Sequence, residues 1–485
     1  MVDAHNMRFI VIGAGMAGIL SAIRLRQAGY HDVTVIEKAD RLGGTWRENT
    51  YPGIACDVPA HMYTYSFEPN PDWSHRFAPG EEIQAYFENV AHKYGVMECI
   101  RFGDGVVGCE FVDHRWQVQM ESGASDVADV VIAATGVLHH PNVPDFPGIE
   151  TFQGASFHSA RWDHDVAMEG KRAGVIGTGS TAVQIVSDLV HSAGKVSMFQ
   201  RTAQWVMKQE NPEYADSEIR SFHEHPEMLI EMRESMSDSF LSTFATAVID
   251  ADSAGMKDIE AQCRENLDTV RDAELRARLT PDYRAACKRL VLAPDFYEAI
   301  QRPNAELVTA GIERIEPAGV RTKDGRLHEL DVLVLATGFH PDRFIRPARV
   351  IGRNGLELDD YWAERPLAYL SISIPEFPNF FMLNGPNGPV GNFSLIDIAE
   401  LQFAYILQLV DEIASGRCRE LSPTQSATDA FEMERVEAAK NTIWTTGCRS
   451  WYLDDRGIPA SWPFTFDRFH AEMAAPKLEA FELVR

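Results

Sequence analysis

The chain has 485 residues, 45% of them hydrophobic and 24% charged, which is typical of a globular protein with room for two or three domains. Its formal net charge of −26 disfavours nucleic acid or an anionic membrane as the main partner. Seven cysteines without a C-x-x-C pair predict neither a disulfide framework nor a metal site, and suit a reducing cytoplasm. No apolar run reaches the about 20 residues that an integral membrane segment needs.

The first motif is a glycine fingerprint near the N-terminus. A predicted buried strand, residues 8–12, precedes Gly13, Gly15 and Gly18, and Glu37 ends the next strand, 24 positions after Gly13. The glycines allow a tight turn in which backbone N–H groups approach a pyrophosphate. A carboxylate at the second strand end accepts hydrogen bonds from free ribose hydroxyls and repels a 2′-phosphate. The segment predicts a dinucleotide site with a free adenosine ribose rather than a signal peptide.

A second fingerprint, Gly177-Thr178-Gly179-Ser180-Thr181, follows another predicted strand. Here the residue 24 positions after the first glycine is Arg201, and a guanidinium attracts the 2′-phosphate that a carboxylate repels. Thr202 and Lys288 are candidates to complete this grip. At an effective dielectric constant of ~20, a cation about 4 Å from the phosphate contributes roughly 4 kcal/mol, so two cations outweigh the diffuse negative field of the chain. We expect this site to prefer NADPH to NADH.

Two further segments, residues 129–136 and 331–338, repeat one another as a buried strand followed by a small-residue turn. Their positions predict an α/β fold with two Rossmann-like dinucleotide-binding domains, the second inserted in the first, and a small helical insertion. The predicted segments are 1–140 (first domain, first part), 141–211 (second domain, first part), 212–282 (helical insertion), 283–340 (second domain, second part) and 341–485 (first domain, second part, with C-terminal active-site loops).

The helical insertion carries an apolar stripe in which a methionine or phenylalanine recurs every four residues. Its members are Met228, Met232, Met236, Phe240 and Phe244. This spacing places all five on one face of a helix. The stripe fits a helix packed on its neighbours, and it also fits a flexible wall of a substrate pocket, for which methionine is well suited.

Several motifs together resemble type I Baeyer–Villiger monooxygenases, a family of class B flavoprotein monooxygenases. The motifs are Gly43-Gly44-Thr45-Trp46, Phe152-x-Gly154-x-x-x-His158-x-x-x-Trp162-Asp163, Lys288-Arg289 and Ser450-Trp451-Tyr452. The resemblance covers essentially the whole chain. It implies FAD in the first domain and NADPH in the second. It also implies that the reduced flavin forms a peroxide with O₂ that attacks a ketone, giving an ester or lactone.

The resemblance also implies which residues form the site. The catalytic candidates are Arg289, whose charge is permanent and stabilises an anionic peroxide, and Asp57, which holds the guanidinium in place. A simple structural salt bridge is the alternative for this pair. The cofactor-binding candidates are Gly13, Gly15, Gly18, Glu37, Gly44, Thr45, Trp46, Asp57, Tyr63, Val106, Leu395, Thr178, Gly179, Ser180, Thr181, Gln184, Arg201, Thr202, Lys288, Arg289 and Trp451.

Two residues in the resembling motifs have a structural alternative. His158 is expected at the connection between the domains, where it supports motion rather than proton transfer, and a hydrogen-bonded structural histidine is equally ordinary. Trp451 is expected over the NADP ribose and the substrate, although a tryptophan near a C-terminus is often part of a core. The loop Asn384–Pro389 precedes a long helix predicted to start near Ser394, with its N-terminus aimed at the flavin.

The residues alone leave three alternative functions, and each has a feature that distinguishes it. A flavin monooxygenase of sulfides or amines would leave Arg289 without an obvious task. A disulfide reductase needs a redox cysteine pair beside the flavin, and Cys56 has no close-spaced companion. A nucleotide-binding redox sensor would show no turnover with a ketone.

Overall fold

The computed structural model describes residues 7–485; residues 1–6, the start of the first predicted segment, lie outside the described residues. The strands are β1 (Phe9–Ile12), β2 (Val33–Glu37), β3 (Ile100–Phe102), β4 (Val106–Val112), β5 (Arg115–Met120), β6 (Ser125–Ala128), β7 (Val130–Ala133), β8 (Ala155–His158), β9 (Arg172–Ile176), β10 (Lys195–Phe199), β11 (Val206–Lys208), β12 (Val291–Ala293), β13 (Ala305–Val308), β14 (Ile312–Glu316), β15 (Gly319–Thr322), β16 (Leu327–Glu329), β17 (Val332–Leu335), β18 (Arg349–Ile351), β19 (Phe380–Met382), β20 (Glu420–Pro423) and β21 (Phe481–Val484).

The helices follow the same chain order. They are α1 (Met16–Gln27), α2 (Thr45–Glu48), α3 (Gly80–Lys93), α4 (Ser180–Leu189), α5 (Asp216–Glu224), α6 (Glu227–Phe240), α7 (Thr246–Ile249), α8 (Ala254–Leu267), α9 (Ala273–Leu279), α10 (Phe296–Ala299), α11 (Leu358–Tyr361), α12 (Leu395–Ala414), α13 (Gln425–Ala439) and α14 (Phe466–Ala474). None of the helices between residues 7 and 485 is long and apolar enough to cross a membrane.

The first fingerprint belongs to a five-stranded parallel sheet with strand order β19-β7-β1-β2-β3. Strands β1 and β7 are buried at every position, as expected for parallel strands covered on both faces. The turn into α1 needs glycine at Gly13, because its φ of +101° lies in the left-handed region and a Cβ would stand 2.7 Å from the Ala134 carbonyl oxygen. Strand β19 comes from the chain beyond residue 340, so both ends of the sequence build this sheet.

The second fingerprint belongs to a separate five-stranded parallel sheet with strand order β13-β10-β9-β17-β8. The two repeated segments each pair with the strand of their own fingerprint: β7 with β1, and β17 with β9. The predicted α/β class with two dinucleotide-binding units is confirmed. The boundaries at residues 140, 211, 282 and 340 stay predictions.

The segment between the second fingerprint and Lys288 contains helices α5 to α9, as the sequence predicts. Helix α6 continues into a π-helical turn at Leu241–Ala245. All five residues of the methionine and phenylalanine stripe are half-buried. Met236 and Phe240 pack against the core of the first sheet, whereas Phe244 packs against the core of the second. The stripe therefore contacts both units, and whether it lines a substrate pocket stays a prediction.

One expectation from the cysteines is wrong. Cys287 and Cys448 form a disulfide, although the sequence predicts no disulfide framework. The two cysteines are 161 residues apart, so spacing along the chain carries no signal of their pairing. Both belong to the hydrophobic core around the second sheet, and the other five cysteines are free.

Candidate active site

Glu37 at the end of β2 is a buried carboxylate that the surrounding chain already orients. Its Oε2 accepts a hydrogen bond from the Ala14 N–H at 2.8 Å. Its Oε1 accepts from the Ala39 N–H at 2.9 Å and from Arg47 Nη1 at 3.0 Å. A carboxylate has about four lone-pair sites, so Glu37 retains capacity for a ribose hydroxyl. Arg47, which sequence reasoning missed, neutralises this carboxylate and also pairs with Glu48.

The second glycine pair lies directly against the first fingerprint. The Gly43 N–H donates to the Ala14 carbonyl at 3.0 Å. A Cβ on Gly15 would meet Gly44 Cα at 3.5 Å, so two stretches of bare backbone face one another. Backbone without side chains is what allows close approach to a pyrophosphate. The structure thus brings together the predicted residues Gly13, Gly15, Gly18 and Gly44.

The aromatic loop after this glycine pair also returns to the first sheet. Thr45 begins α2 and is exposed. Trp46 Nε1 donates to the Tyr63 hydroxyl at 3.3 Å, and the two rings meet edge to face with centroids 5.7 Å apart. Burial raises the pKa of Tyr63, which keeps its hydroxyl protonated. Trp46 and Tyr63 therefore form one wall beside the fingerprint turn.

Two predicted flavin contacts lie on opposite sides of the first sheet. Val106 begins β4 and packs on the core that contains Ile12 and Ile36, next to the end of β2. Leu395 begins α12 and packs on the core that also receives Tyr63 and Trp46. These positions fit an extended cofactor that spans the carboxyl end of the sheet.

The loop before α12 contains buried polar oxygens that the described residues leave unsatisfied. The side-chain carbonyl oxygens of Asn384, Asn387 and Asn392 are buried and have no hydrogen-bond partner between residues 7 and 485. Such groups are costly unless a ligand or water satisfies them. The three residues stand in the loop before α12, and the predicted approach of this helix to the flavin stays a prediction.

The second fingerprint forms an open, polar site. A Cβ on Gly179 would meet nothing within 4 Å, which leaves space beside the N-terminus of α4 for a pyrophosphate. Thr178 Oγ1 donates to the Thr202 carbonyl at 2.9 Å and joins the turn to the strand end that carries Arg201. Burial and the nearby charge of Arg201 lower the pKa of Lys288. The two predicted cations are thus neighbours, and an anion between them would relieve their repulsion.

The side chain of Gln184 on α4 binds residues of the segment that leads to Asp57. Its Oε1 accepts from the Tyr51 hydroxyl at 2.9 Å, and its Nε2 donates to the Ala55 carbonyl at 3.0 Å. Thr181 also interacts with the Tyr51 hydroxyl. Ser180 begins α4 and is half-buried. The structure therefore places Gln184 and Thr181 in contact with the segment that leads to Asp57.

Arg289 lies where the two units meet, and its guanidinium has a partner on each side. Nη2 pairs with Asp57 Oδ2, and Nη1 donates to the Gly391 carbonyl at 2.9 Å. Burial by itself would lower the pKa of Arg289, but the Asp57 charge and the Tyr452 hydroxyl raise it overall. The side chains of Arg289 and Asp57 remain 30% and 26% exposed. A permanent cation is thus held in place with one face open, as a reaction site requires.

His158 has a structural position. Its Nδ1 accepts from the Ala160 N–H at 3.1 Å, and its Nε2 donates to the Gly338 carbonyl at 3.0 Å. Burial lowers the pKa of His158, so the neutral ring is favoured. The ring joins the segment that enters the second unit to the segment that leaves it, in keeping with the predicted place at the domain connection.

Trp451 is not part of the core. Its side chain is 38% exposed, and its ring lies 4.1 Å from that of Tyr452. The alternative of a buried core tryptophan is therefore wrong, and a contact with the nicotinamide nucleotide stays a prediction. Tyr452, beside Arg289, is a site residue that sequence reasoning missed, although it stands in the quoted Ser450-Trp451-Tyr452 motif.

The site combines two glycine-rich nucleotide turns with an aromatic wall, and a fixed arginine lies between the two turns. This combination is typical of a flavoprotein oxidoreductase with two dinucleotide sites. The chain belongs to the flavin-binding monooxygenase-like family, whose profile matches residues 6–344. It is 48% identical over 475 residues to an uncharacterized monooxygenase of Mycobacterium tuberculosis (strain ATCC 25618 / H37Rv), covering 98% of this chain and 96% of the relative.

Relatives whose names state a reaction define the class of monooxygenase more closely. A Baeyer–Villiger monooxygenase of Streptomyces coelicolor is 36% identical over 488 residues, covering 99% of this chain and 93% of that protein. The crystal structure of cyclohexanone monooxygenase from Rhodococcus sp. Phi1 bound to NADP⁺ superposes with a TM-score of 0.88 at 29% identity, covering 99% of both chains. A structure of OTEMO with FAD and NADP gives a TM-score of 0.89 at 26% identity, again covering 99% of both chains. The resemblance to Baeyer–Villiger monooxygenases is confirmed.

Proposed function

We propose that this chain is an FAD- and NADPH-dependent Baeyer–Villiger monooxygenase. It inserts one atom of O₂ next to a ketone carbonyl and gives an ester or lactone. The observation that carries the proposal is the ion pair of Arg289 with Asp57 of the first unit; the preceding residue, Lys288, has its pKa lowered by burial and by the charge of Arg201 at the second site. Adjacent residues thus serve both nucleotides.

The residues present fit both cofactors. FAD fits the first site, where Glu37 would accept hydrogen bonds from the ribose hydroxyls, the facing glycine backbones would admit the pyrophosphate, and the asparagine loop offers unsatisfied oxygens. NADPH fits the second site because Arg201 and Lys288 attract its 2′-phosphate. The flavin, once reduced by NADPH, supplies the activation of O₂.

The role of Arg289 follows from its permanent charge. Attack on a ketone carbonyl needs a nucleophilic, anionic oxygen, and a nearby cation stabilises that anion as well as the negative charge that develops on the carbonyl oxygen. Asp57 and the Gly391 carbonyl fix the direction of the guanidinium, so little reorganisation is needed during the reaction. The oxidation of sulfides or amines needs no such cation, and no observation here favours it.

A ketone of unspecified size and O₂ are the proposed substrates, and the cytoplasm is the proposed location. The test is to incubate purified, flavin-loaded protein with NADPH and a panel of linear, cyclic, aromatic and steroidal ketones, and to identify products by mass spectrometry. A product that gains one oxygen as an ester or lactone supports the proposal. Protein that cannot be loaded with flavin, or that gives sulfoxides or N-oxides but no ester, contradicts it.

A further inference from the structure

The disulfide between Cys287 and Cys448 joins the two chain segments that approach the proposed reaction site. Cys287 directly precedes Lys288 and Arg289, and Cys448 stands four residues before Tyr452. Cys287 is fully buried and Cys448 is 7% exposed. The bond therefore fastens the arginine segment to the C-terminal loop from inside the protein.

Tyr452 is the residue of that loop that approaches Arg289. Its hydroxyl is near enough to raise the pKa of Arg289, and the residue is only 4% exposed. Its ring packs between Trp444 and Trp451, with centroids at 5.4 and 4.1 Å. The ring is thus held by packing, and its hydroxyl has a defined direction.

Gly391 completes the arrangement. Its carbonyl accepts from Arg289 at 2.9 Å, and its φ is +96°. A Cβ at this position would stand 2.3 Å from the Tyr452 hydroxyl, so only glycine lets the three groups converge. Arg289 consequently has three neighbours: a carboxylate, a backbone carbonyl and a phenol.

We propose that Tyr452 is a positioning residue for Arg289, and that the Cys287–Cys448 disulfide fixes the distance between them. The proposal deepens the function proposed above and rests on it. Since Arg289 is partly exposed, packing alone does not hold its guanidinium. The phenol oxygen stands beside the Gly391 carbonyl that binds the guanidinium, where it can accept an N–H of Arg289 and limit its rotation. The disulfide keeps the phenol within reach, because it removes the relative freedom of the two segments.

Both cysteines are buried, so a thiol reaches this bond only when the protein opens locally. A dithiol attacks one sulfur through a mixed disulfide and leaves as a cyclic disulfide, so two electrons and two protons pass to Cys287 and Cys448 as thiols. Disulfides in reducing compartments are usually transient and redox-sensing. Reduction leaves the loop held only by non-covalent contacts, and the contact between Tyr452 and Arg289 loosens.

The first experiment removes the phenol. Tyr452→Phe is compared with Tyr405→Phe, which removes a buried hydroxyl without a partner among the described residues. We expect Tyr452→Phe to lower the ester formed per NADPH oxidised by about tenfold, the effect of a lost hydrogen bond to a charged group, with KM for NADPH unchanged. Tyr405→Phe should keep the wild-type ratio. Equal ratios in the two variants would refute the role of Tyr452.

The second experiment addresses the disulfide. Native protein unfolded in guanidinium should show five free thiols, and seven after dithiothreitol, given seven cysteines and five free ones. Coupling is the ester formed per NADPH oxidised. The double variant Cys287→Ser/Cys448→Ser should lose coupling to the same extent as wild type treated with dithiothreitol. Cys263→Ser, at a buried free cysteine of the same core, should keep it. Seven thiols before reduction, or coupling in the double variant equal to that of Cys263→Ser, would overturn this part.

A readout that does not depend on ester formation separates the two proposals. Hydrogen–deuterium exchange in residues 286–291 and 446–453 should rise when the disulfide is reduced or removed, and should stay unchanged in Cys263→Ser. If wild type forms no ester from any ketone while this exchange rises, the proposed function fails and the disulfide tether stands. If wild type forms ester and the exchange does not change, the tether fails and the function stands.

Discussion

The two nucleotide sites have the same backbone plan and opposite degrees of closure. At the first, Glu37 is 5% exposed and held by three hydrogen bonds before any cofactor arrives. At the second, Arg201 is exposed and Gly179 faces open space. This difference is what we expect if the first site keeps its cofactor bound and the second admits one that enters and leaves in each cycle.

The largest effect is expected where the two sites meet. Arg289→Ala should lower ester formation by about a thousandfold, because it removes the fixed charge that stabilises the anionic oxygen. NADPH oxidation should continue and yield hydrogen peroxide, since hydride transfer does not need this residue. The two rates are measured separately, as product and as absorbance at the NADPH band. Arg302→Ala, at an exposed arginine, is the control.

Ester formation that survives in Arg289→Ala would contradict the assigned role. Loss of both activities together would mean that Arg289 also supports binding of the nicotinamide nucleotide.

A buried carboxyl group in α12 offers a test through pH. Burial raises the pKa of Asp397, in the first turn of α12, from its ordinary 3.8 to about 6, and Arg233 of the helical insertion only partly opposes this. The folded protein then binds a proton more tightly than the unfolded chain does between these values, so stability should fall as pH rises from about 4 to about 6. This group contributes up to about 3 kcal/mol to that fall.

The measurement for Asp397 is chemical denaturation of wild type and Asp397→Asn across this pH window. The difference between the two proteins should show the predicted slope, and Asp359→Asn, at an exposed aspartate, should follow wild type. Parallel curves for wild type and Asp397→Asn would refute the raised pKa.

The coenzyme preference of the second, open site should be easier to change than the cofactor preference of the first, closed site. Arg201→Glu should raise KM for NADPH by about tenfold to a hundredfold, because one exposed cation beside the 2′-phosphate is replaced by an anion. KM for NADH should fall or stay the same, since its ribose hydroxyls can donate to the new carboxylate. Steady-state kinetics with both coenzymes test this. An equal rise in both KM values would indicate a damaged fold instead.

The smallest effect is expected at Glu37. Glu37→Gln keeps the shape but loses the charge that faces two N–H groups and Arg47, at a cost of about 1.5 kcal/mol, or roughly tenfold weaker FAD binding. When the loaded protein is diluted, the increase in the fluorescence of free flavin measures how much FAD is released. Glu234→Gln, at an exposed glutamate, should bind FAD as wild type does. Unchanged FAD binding in Glu37→Gln would place the ribose elsewhere.

Short sequence patterns were sufficient to predict those features whose residues lie close together along the chain. The fingerprints, their strands and the opposite charges at Glu37 and Arg201 follow from spacing within about 25 residues, a range over which one βαβ unit forms. The pairing of Arg289 with Asp57 came from the resemblance, because no short-range rule joins residues so far apart.

Contacts between segments that are distant along the chain could not be predicted from the sequence. The partners of Cys287 and Tyr452 are set by how the C-terminal loop folds back on the second unit. Gln184 shows the same limit: its place on α4 was predictable, but Tyr51 and Ala55 decide which way it points.

The adjacency of Lys288 and Arg289 constrains how this enzyme can change. A substitution at Lys288 that changes coenzyme choice acts directly next to Arg289, the residue on which we propose that oxygen transfer depends. Variation in coenzyme preference, by selection or by engineering, should therefore accumulate on the far side of the phosphate, at Arg201 and Thr202, while the dipeptide stays unchanged.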